Sequence, residues 1–584
     1  MRPTSQARKL KFLVESLVML DGNAMVKTES TAPAATMTVG DLVAHWLAEI
    51  GITTVFGVIS IHNMPILDAI HRQGRIRFVS ARGEAGAMNM ADAYARVTQS
   101  LGVVFTSTGT AAGNAAGSQV EALTACSAVL HITTQIDRPF ADRDRAAIHD
   151  VPRQPEMLRG VSKAVYRAWE PHNTLTTLAA AASAAISAPC GPVSVEIPVD
   201  VQRQTALQPQ VISPLRPVIV EPCPQMLDAL AALVLKARRP MLWLGGGARR
   251  AGIEATELVE RGFAVVTSTN GRAIVAEDHP ASLGAFNMTP QAQKIYADCD
   301  LMLVVGSRLR GNETLNNAMR LGSPLVQIDA DASQGARNYP VDLFLHGDAV
   351  LALRGLLARL PGKLSTDPAL IEEIQAARQG SEAQLQTNLG PYKKIADVLR
   401  QRVGGDGHPF VRDVTISNST FGNRYVTLAQ PHLGVHALGG GIGQGCAMAI
   451  GAAMASGLPK TIALMGDGGS MVALGEFATA VEEEANIVFL LMNDRGYGVI
   501  RNIQDAQYEG RQCYTLKVIP DFGLLAQSLG LRHQLVVHTD EFENALNEAL
   551  SVPGPVMLEI DMVKIGPFTQ AFSGPPAGAA GSAR

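Results

Sequence analysis

Apolar and polar positions alternate along residues 37–205 in two rhythms. The stretch VGDLVAHWLAEIG carries apolar residues at the spacing of an amphipathic helix. Between such stretches lie short apolar runs that predict buried strands, namely TTVFGVI, RFVSA, GVVFTS, AVLHITTQI and GPVSVEIPVDV. Strands separated by helices of this length predict right-handed βαβ units and a parallel sheet.

The same pattern occurs twice more along the chain. A Pro-rich stretch, QPQVISPLRPVIVEPCP, predicts a linker, and a second alternating segment over 220–362 contains PMLWL, FAVVTS, LMLVV and PLVQIDAD as strands. The polar stretch GKLSTDPALIEEIQAARQGSEAQLQTN predicts a helix and linker, and a third alternating segment covers 390–566. The sequence therefore predicts an α/β protein with three doubly wound parallel-sheet domains.

The two ends of the chain lack this pattern. Residues 1–36 are basic, then mildly apolar, then rich in Ser, Thr and Ala, and we expect a disordered or loosely docked extension. A short targeting or membrane-surface helix stays open as an alternative, as does a later start at Met25 or Met37. The Gly/Ala/Pro-rich residues 567–584 predict a flexible tail.

Composition narrows the possible classes of function. The 584 residues are 47% hydrophobic and 17% charged, which is typical of a globular protein with several cores. A net charge of −4 offers no basic surface for nucleic acid or anionic lipid, and no apolar run approaches the roughly 18 residues that span a bilayer. Six widely spaced cysteines without C-x-x-C argue against a zinc site or a disulfide framework and favour the cytoplasm.

Two acids interrupt the apolar pattern of the third segment. Asp467 lies in the turn GDGGS after the strand TIALM, and Asp494 follows the next strand, NIVFLLM, after the helical stretch LGEFATAVEEEA. Because the carboxyl ends of parallel strands meet at one edge, we expect the two acids to share a ligand-binding crevice. Two carboxylates there can hold a divalent cation, which would hold a diphosphate against backbone amides. A tight turn and a helix cap are the purely structural alternative.

The spacing of these residues resembles the signature of thiamine diphosphate enzymes. Gly466-Asp467-Gly468 is followed, after 24 residues, by Asn493. The resemblance implies Mg²⁺ bound by Asp467, Asp494 and the carbonyl oxygen of Gly496. The family usually has Asn in place of Asp494, so we expect the extra carboxylate to tighten Mg²⁺ binding or to improve tolerance of Ca²⁺.

A second motif, in the first domain, supports the same resemblance. Glu84 follows the strand RFVSA and precedes a small-residue helix containing ADAYAR, which is similar to the family's ADGYAR. The family places here a buried Glu with a raised pKa, which holds the cofactor's aminopyrimidine ring. The resemblance therefore implies that Glu84 is catalytic; an acid that only favours the helix dipole is the alternative.

The resemblance covers residues 37–566 and is strongest to the acetolactate synthase and benzoylformate decarboxylase branch. It implies a pyrimidine-binding domain over 37–205, a central domain over 220–362 and a diphosphate- and Mg-binding domain over 390–566. In the Gly-rich stretch ALGGGIGQG, Ile442 corresponds to the residue that supports the bent cofactor, although a plain core isoleucine is the alternative. The cofactor-binding residues implied are Asn418, Gly440, Ile442, Gly466, Gly468, Gly469, Ser470 and Tyr497.

The implied reaction is decarboxylation of a 2-oxo acid to an enamine, followed by carboligation or by simple protonation. Ile59, Ser60 and Ile61 replace the family's Pro-Gly and a polar residue, and Thr106 stands where benzoylformate decarboxylases have His. Fewer proton donors favour carboligation of the acetolactate synthase type. A simple 2-oxo acid decarboxylase, of benzoylformate or guanidino type, and a non-catalytic cofactor-binding subunit stay open.

The predicted substrate pocket carries less support than the cofactor site. It consists of Ile61, His62, Thr106, Val499 and Ile500. His62 is alternatively an exposed loop histidine, Val499 and Ile500 are alternatively core residues, and Arg501 either meets a substrate carboxylate or is a solvated helix charge.

Two further expectations concern assembly and a second cofactor. The family's cofactor lies between the first domain of one subunit and the third domain of another, which implies a homodimer or homotetramer. The Gly-rich turns LGGGARRAG and VGSRLRGNETLNN are weak support for FAD, and the acidic stretch of FAD-bearing relatives is missing, so FAD is not expected.

Overall fold

A computed structural model describes residues 35–574, and parallel β-sheets form its framework. The strands are β1 (Thr36–Thr38), β2 (Thr54–Gly57), β3 (Arg77–Ser80), β4 (Gly102–Phe105), β5 (Val129–Gln135), β6 (Ala164–Arg167), β7 (Val193–Pro198), β8 (Thr205–Leu207), β9 (Pro240–Leu244), β10 (Ala264–Thr267), β11 (Leu301–Val305), β12 (Leu325–Asp329), β13 (Leu343–His346), β14 (Phe410–Arg412), β15 (Gly434–His436), β16 (Thr461–Gly466), β17 (Ile487–Asn493), β18 (Arg532–Val536) and β19 (Val556–Asp561).

Helices connect these strands and cover the sheets. They are α1 (Val39–Glu49), α2 (Met64–Gln73), α3 (Glu84–Thr98), α4 (Thr110–Ala125), α5 (Gln154–Arg159), α6 (Thr174–Ile186), α7 (Val199–Arg203), α8 (Pro224–Val234), α9 (Gly252–Glu260), α10 (Pro290–Asp298), α11 (Ala349–Leu357), α12 (Ala369–Leu389), α13 (Lys393–Arg400), α14 (Gly445–Ala453), α15 (Asp467–Ser470), α16 (Glu476–Glu482), α17 (Gly498–Gln507), α18 (Phe522–Leu529), α19 (Phe542–Ser551) and α20 (Met562–Ile565).

The strands form three separate parallel sheets. Their orders are β3-β2-β4-β5-β7-β6, β10-β9-β11-β12-β13 and β15-β14-β16-β17-β19-β18, and β1 pairs antiparallel with β8 at the side. The first and third sheets have the same relative order, and in both the order reverses next to the first strand. This confirms the predicted fold class, with its three doubly wound α/β domains.

Burial explains why the central strands were predictable. Every residue of β17 is buried, because helices cover both faces of a doubly wound sheet. The reversal in the third sheet lies between β14 and β16, and the corresponding reversal in the first lies between β2 and β4. Crevices at such reversals are where open α/β sheets bind ligands.

The first and third domains pack directly on each other through α3 and α14. Both helices are rich in small residues, and their side chains belong to one continuous core. A Cβ at Gly451 would lie 2.0 Å from the carbonyl oxygen of Met90, so only glycine allows this approach of the two backbones. The relative position of the two domains in one chain is therefore fixed by close helix packing.

The chain ends correct one prediction. Part of the predicted flexible tail is docked: Phe568 is buried against Tyr392, with 4.3 Å between ring centroids, and the Gln570 N–H donates to the Asn388 carbonyl. Residues 575–584 and the predicted extension over 1–34 lie outside the described residues. Among residues 35–574, no helix is both long and apolar enough to cross a membrane.

Candidate functional site

The two acids of the third domain meet at adjacent strand ends. β16 and β17 are parallel neighbours, Asp467 is the first residue after β16, and Asp494 is the first after β17. One Asp467 oxygen accepts the Asp494 N–H at 3.3 Å, and the other accepts the Gly496 N–H at 2.8 Å. The fold thus brings Asp467, Asp494 and Gly496 together as the sequence predicts.

Burial makes this acid pair electrostatically unusual. Burial, with a further contribution from the Asp494 carboxylate, raises the pKa of Asp467 to about 7. Burial also raises the pKa of Asp494, against the opposing effect of the Arg501 guanidinium. Two buried carboxylates in contact are destabilised as anions unless a cation lies between them, which is the charge environment that suits a divalent metal.

The oxygen atoms available at this site also suit Mg²⁺. A Cβ at Gly468 would lie 2.7 Å from the Gly496 carbonyl oxygen, so that oxygen faces the turn that carries Asp467. Within residues 35–574, no cluster of three or more His, Cys, Asp or Glu side chains has metal-binding geometry. A cation here would therefore use two carboxylates and a backbone oxygen, a donor set that hard cations accept.

Arg501 fits neither of its two sequence-based alternatives. Its Nη2 atom lies 3.1 Å from the Asp494 carboxylate and also donates to the Asp494 carbonyl oxygen at 3.2 Å. Arg501 is thus neither a freely solvated charge nor a group held open for substrate. In this chain it is the partner of the acid that replaces the family's Asn.

The glycines around Asp467 make room for close neighbours. A Cβ at Gly468 would approach the Tyr497 ring to 2.7 Å, and one at Gly469 would approach Asp413 Oδ2 to 2.9 Å. Gly468, Gly469 and Ser470 are buried in the first turn of α15, and the Ser470 hydroxyl donates to the Gly466 carbonyl at 2.7 Å. The turn therefore brings its backbone, rather than side chains, close to these neighbours.

Asp413 is a site residue that the sequence reasoning missed. It follows β14 at the reversal point, and its carboxylate accepts the Gly443 N–H at 3.0 Å, one residue beyond Ile442. Burial raises the pKa of Asp413 to about 6. The available signal in the sequence was an acid directly after the short run PFVR. A run of this length does not by itself predict a strand.

The remaining predicted cofactor residues lie around this turn. Ile442 is exposed, with 41% of its surface accessible, so it is not a core isoleucine in the single chain. Gly440 has φ +81°, a conformation that favours glycine, and has open space where a Cβ would be. Asn418 is buried, its Nδ2 lies 3.3 Å from His436 Nδ1, and its Oδ1 has no hydrogen-bond partner.

Glu84 lies at the corresponding edge of the first sheet. It is the first residue of α3, after β3, and the Asn114 amide donates to its carboxylate at 3.1 Å. The expectation that Glu84 is buried needs correction for the isolated chain, where it is half-buried. Full burial of this carboxylate would require a second surface to cover it.

His62 lies at the same edge with an unpredicted neighbour. The rings of His62 and His149 are 5.2 Å apart, edge to face, and His62 Nδ1 is 3.3 Å from the Ser107 hydroxyl. His62 is buried, and burial together with His149 lowers its pKa. The sequence contains no adjacent His-His pair, but the fold assembles one from two loops.

Thr106 lies below the surface rather than in the predicted pocket. It is fully buried, and its hydroxyl is hydrogen-bonded to His131 Nε2 at 2.8 Å and to Thr133 at 3.0 Å. Val499 is half-buried against the core of the third domain, whereas Ile500 and Ile61 are exposed. We therefore leave Thr106 out of the proposed pocket and retain Ile61, His62 and Ile500.

Glu476 joins the third domain to the segment that precedes Glu84 within one chain. This buried third-domain carboxylate accepts the Arg82 N–H at 3.2 and 3.3 Å, and its bonds reach the Gly83 N–H as well. Arg82 and Gly83 directly precede Glu84. A Cβ at Gly86 would lie 2.1 Å from Glu476 Oε1, so the first turn of α3 is shaped around this carboxylate.

A large cavity lies away from both the acid pair and Glu84. It has a volume of about 850 Å³ and lies between the first and central domains, beside Arg249, Arg308 and Asp329 at the carboxyl ends of the central strands. Neither the acid pair nor Glu84 lines it. The expectation that FAD is absent stays a prediction.

The three α/β domains and the acid pair are those that the resemblance to thiamine diphosphate enzymes predicts, and family comparison agrees. Three models of thiamine pyrophosphate enzymes match the chain: the N-terminal thiamine pyrophosphate-binding domain over residues 37–157, the central domain over 227–356 and the C-terminal thiamine pyrophosphate-binding domain over 416–560. The chain belongs to the family of thiamine pyrophosphate (thiamine diphosphate) enzymes.

Individual relatives cover nearly the whole chain. A probable 2-ketoarginine decarboxylase of Pseudomonas aeruginosa is 29% identical over 90% of this chain and 94% of its own. A probable acetolactate synthase large subunit of Methanocaldococcus jannaschii is 25% identical over 87% and 89%, and acetolactate synthase 2 of Nicotiana tabacum is 25% identical over 89% and 81%. Over most of its length the chain is thus similar to enzymes of the acetolactate synthase and decarboxylase type.

Proposed function

We propose that this protein is a thiamine diphosphate- and Mg²⁺-dependent enzyme that decarboxylates a 2-oxo acid and joins the remaining fragment to a second carbonyl compound. The observation that carries the proposal is the buried contact between Asp467 and Asp494 at adjacent strand ends, beside a glycine turn. Two carboxylates this close repel each other as anions, and a bound divalent cation would offset that repulsion.

In this proposal the third domain holds the charged end of the cofactor. Asp467, Asp494 and the Gly496 carbonyl would bind Mg²⁺, and the backbone N–H groups of the α15 turn would bind the diphosphate, as helix starts do. Asp413 keeps the Gly443 backbone in place, so Ile442 projects where it can support the cofactor ring. When bound, thiamine diphosphate supplies a carbanion-forming carbon that attacks the 2-oxo group and accepts the electrons left by CO₂.

Glu84 has the complementary role in the first domain. Its carboxyl would hold a proton against the aminopyrimidine nitrogen, and the Asn114 amide fixes the orientation of that carboxyl. Such a proton requires a carboxyl with a raised pKa, and covering a half-buried Glu84 with a second surface would provide the necessary desolvation.

The second surface in this proposal is another copy of the chain. Ile59, Ile61 and Met64 are exposed beside the region of Glu84 and His62 in the first domain. Ile442, Val472 and Ile500 are exposed in the third domain, on or beside the segments that carry the acid pair. Exposed apolar residues around the Glu84 region and around the acid pair are expected where an interface forms. We propose a homodimer, alone or within a homotetramer, with cofactor sites between the first domain of one subunit and the third domain of the other.

The experiment that tests the proposal measures CO₂ release from pyruvate, 2-oxobutyrate, branched, aromatic and guanidino 2-oxo acids, with products identified by mass spectrometry. Coupled products that need Mg²⁺ and thiamine diphosphate would support carboligation. No CO₂ from any of these acids, together with no cofactor tautomer bands in circular dichroism, would favour the silent-subunit alternative.

A simple 2-oxo acid decarboxylase is the second candidate, and one observation favours it. Fewer proton donors in the sequence favour carboligation, but His62 and His149 lie side by side at the Glu84 edge. Paired histidines there could deliver the proton that ends a simple decarboxylation. If an aromatic or guanidino 2-oxo acid gives only CO₂ and the corresponding aldehyde, that result would support this candidate.

A further inference from the structure

Asp494 and Arg501 form a fixed pair at the start of α17. Arg501 Nη2 reaches Oδ2 of Asp494 at 3.1 Å and its carbonyl oxygen at 3.2 Å, and the Arg501 N–H is bonded to the Tyr497 carbonyl at 2.9 Å. A Cβ at Gly498 would lie 1.7 Å from Asp494 Oδ2. Gly498 thus leaves room for this Oδ2 atom, and Arg501, on the same helix, donates a hydrogen bond to it.

The pair changes the charge of the proposed metal site. Asp467 and Asp494 alone would give the ligand set two negative charges, one more than the Asp and Asn usual in the family. Arg501 returns one positive charge at hydrogen-bonding distance, and the Asp494 side chain is only 15% exposed, so solvent screens the pair incompletely.

We propose that Arg501 is a built-in counter-charge, through which Asp494 acts toward the divalent cation as the neutral amide does in relatives. The inference rests on the proposed function. It replaces the expectation that the second carboxylate tightens Mg²⁺ binding, because the arginine cancels the charge that would do so. Arg501 is a positioning and charge-balancing residue, and it need not touch substrate.

Ligand charge decides which cations such a site accepts. Affinity for Ca²⁺ rises with the number of negatively charged oxygen ligands, and Ca²⁺ tolerates irregular geometry that Mg²⁺ does not. A site with balanced charge therefore keeps its preference for Mg²⁺. Loss of Arg501 should make the site more negative and less selective.

The test is a double-mutant cycle read by calorimetric titration of MgCl₂ and CaCl₂ into full-length protein saturated with thiamine diphosphate, without substrate. Arg501→Gln should bind both cations more tightly, on the order of 10-fold, with the larger gain for Ca²⁺. Asp494→Asn leaves an unpaired guanidinium beside the cation and should bind both more weakly. The variant with both substitutions should return to within about threefold of the parent protein, because the two charge changes cancel.

Arg495→Gln is the matched control, since Arg495 is exposed, lies in the same loop and forms no ion pair among the described residues. It should leave both affinities unchanged. If Arg501→Gln leaves cation binding unchanged or weakens it, or if the double variant behaves as Asp494→Asn does, the inference is wrong. A parent protein that binds no Mg²⁺ in this titration would instead contradict the proposed function itself.

Discussion

Asp467 must lose a proton before it can bind a cation. Burial and the Asp494 carboxylate raise its pKa to about 7, so below that pH the metal-free site is protonated. We expect Mg²⁺ affinity to fall as the pH is lowered from about 8 to about 6, by up to about tenfold per pH unit, because each bound cation displaces one proton.

Calorimetry in two buffers with different ionisation enthalpies would count the protons released on Mg²⁺ binding. Release should approach one per cation at the acidic end of the range and vanish at the alkaline end. Metal binding that is independent of pH throughout would show that Asp467 has an ordinary pKa.

The histidine pair leads to a prediction about product distribution. If His62 delivers a proton, His62→Asn should lower release of the protonated product by about 10²-fold, the usual contribution of a positioned acid. Coupled product should fall less, since carboligation does not use that proton. His172→Asn is a suitable control because His172 is exposed, in the turn directly before α6. Equal losses of both products would show that His62 has a general rather than a proton-donating role.

At this scale, residues inside a local motif were predictable and residues that act through distant contacts were not. Asp467 and Asp494 each follow a strongly apolar strand, and the resemblance to the family motifs pointed to these two acids and to Glu84. Asp413 lies 30 residues from its partner Gly443, and His149 reaches His62 through a long loop. Sequence spacing carries no information about such contacts.

Among the structural elements, α16 in the third domain contacts the segment that precedes Glu84 in the first domain. Glu476, its first residue, holds the backbone N–H groups that precede Glu84, at the positive end of α3. Replacing this carboxylate with an amide puts an NH₂ group against those N–H groups. We expect Glu476→Gln to lower kcat by on the order of 10-fold, because catalytic groups tolerate little displacement.

Glu482→Gln is the matched control for this prediction. Glu482 is the last residue of the same helix and binds the Arg82 side chain rather than its backbone. It should retain full activity. Cofactor tautomer bands in circular dichroism report contact with Glu84, so Glu476→Gln should weaken these bands while thermal stability stays close to that of the control. Unchanged bands would mean that Glu476 only supports the domain contact.

Edge position accounts for three of the strands that the sequence pattern did not predict. β6, β13 and β18 are the last strands of their sheets, and several of their residues are exposed or half-buried. A strand with one covered side does not need a continuous apolar run, so its pattern is weak. Interior strands such as β5, β11 and β17 are entirely buried and were found.

At the scale of the whole molecule, the two parts of the proposed cofactor site are both open in the single chain. Glu84 is half-buried, and Ile442, which should support the cofactor ring, is exposed. Close packing of α3 on α14 fixes the first and third domains of one chain relative to each other. In the proposed function, a second chain would therefore cover both regions, because domain closure within one chain is blocked by this packing.

Subunit complementation tests this arrangement directly. Glu84→Gln and Asp467→Asn should each be inactive, because one lacks the pyrimidine contact and the other a metal ligand. If each site takes Glu84 from one subunit and Asp467 from the other, a mixed dimer contains one site with both natural residues. Random reassembly of equal amounts should then recover about a quarter of parental activity, because half of the dimers are mixed and half of their sites are intact.

The control for complementation places both substitutions on one chain. Mixing that double variant with Glu84→Gln supplies no Glu84 at all, so no activity should return. Sites built within single chains would make every mixture inactive, since no chain in the complementation experiment carries both natural residues. Recovery that depends on prior dissociation and reassembly would therefore locate the cofactor between subunits, and its absence would place Glu84 and Asp467 of one chain in the same site.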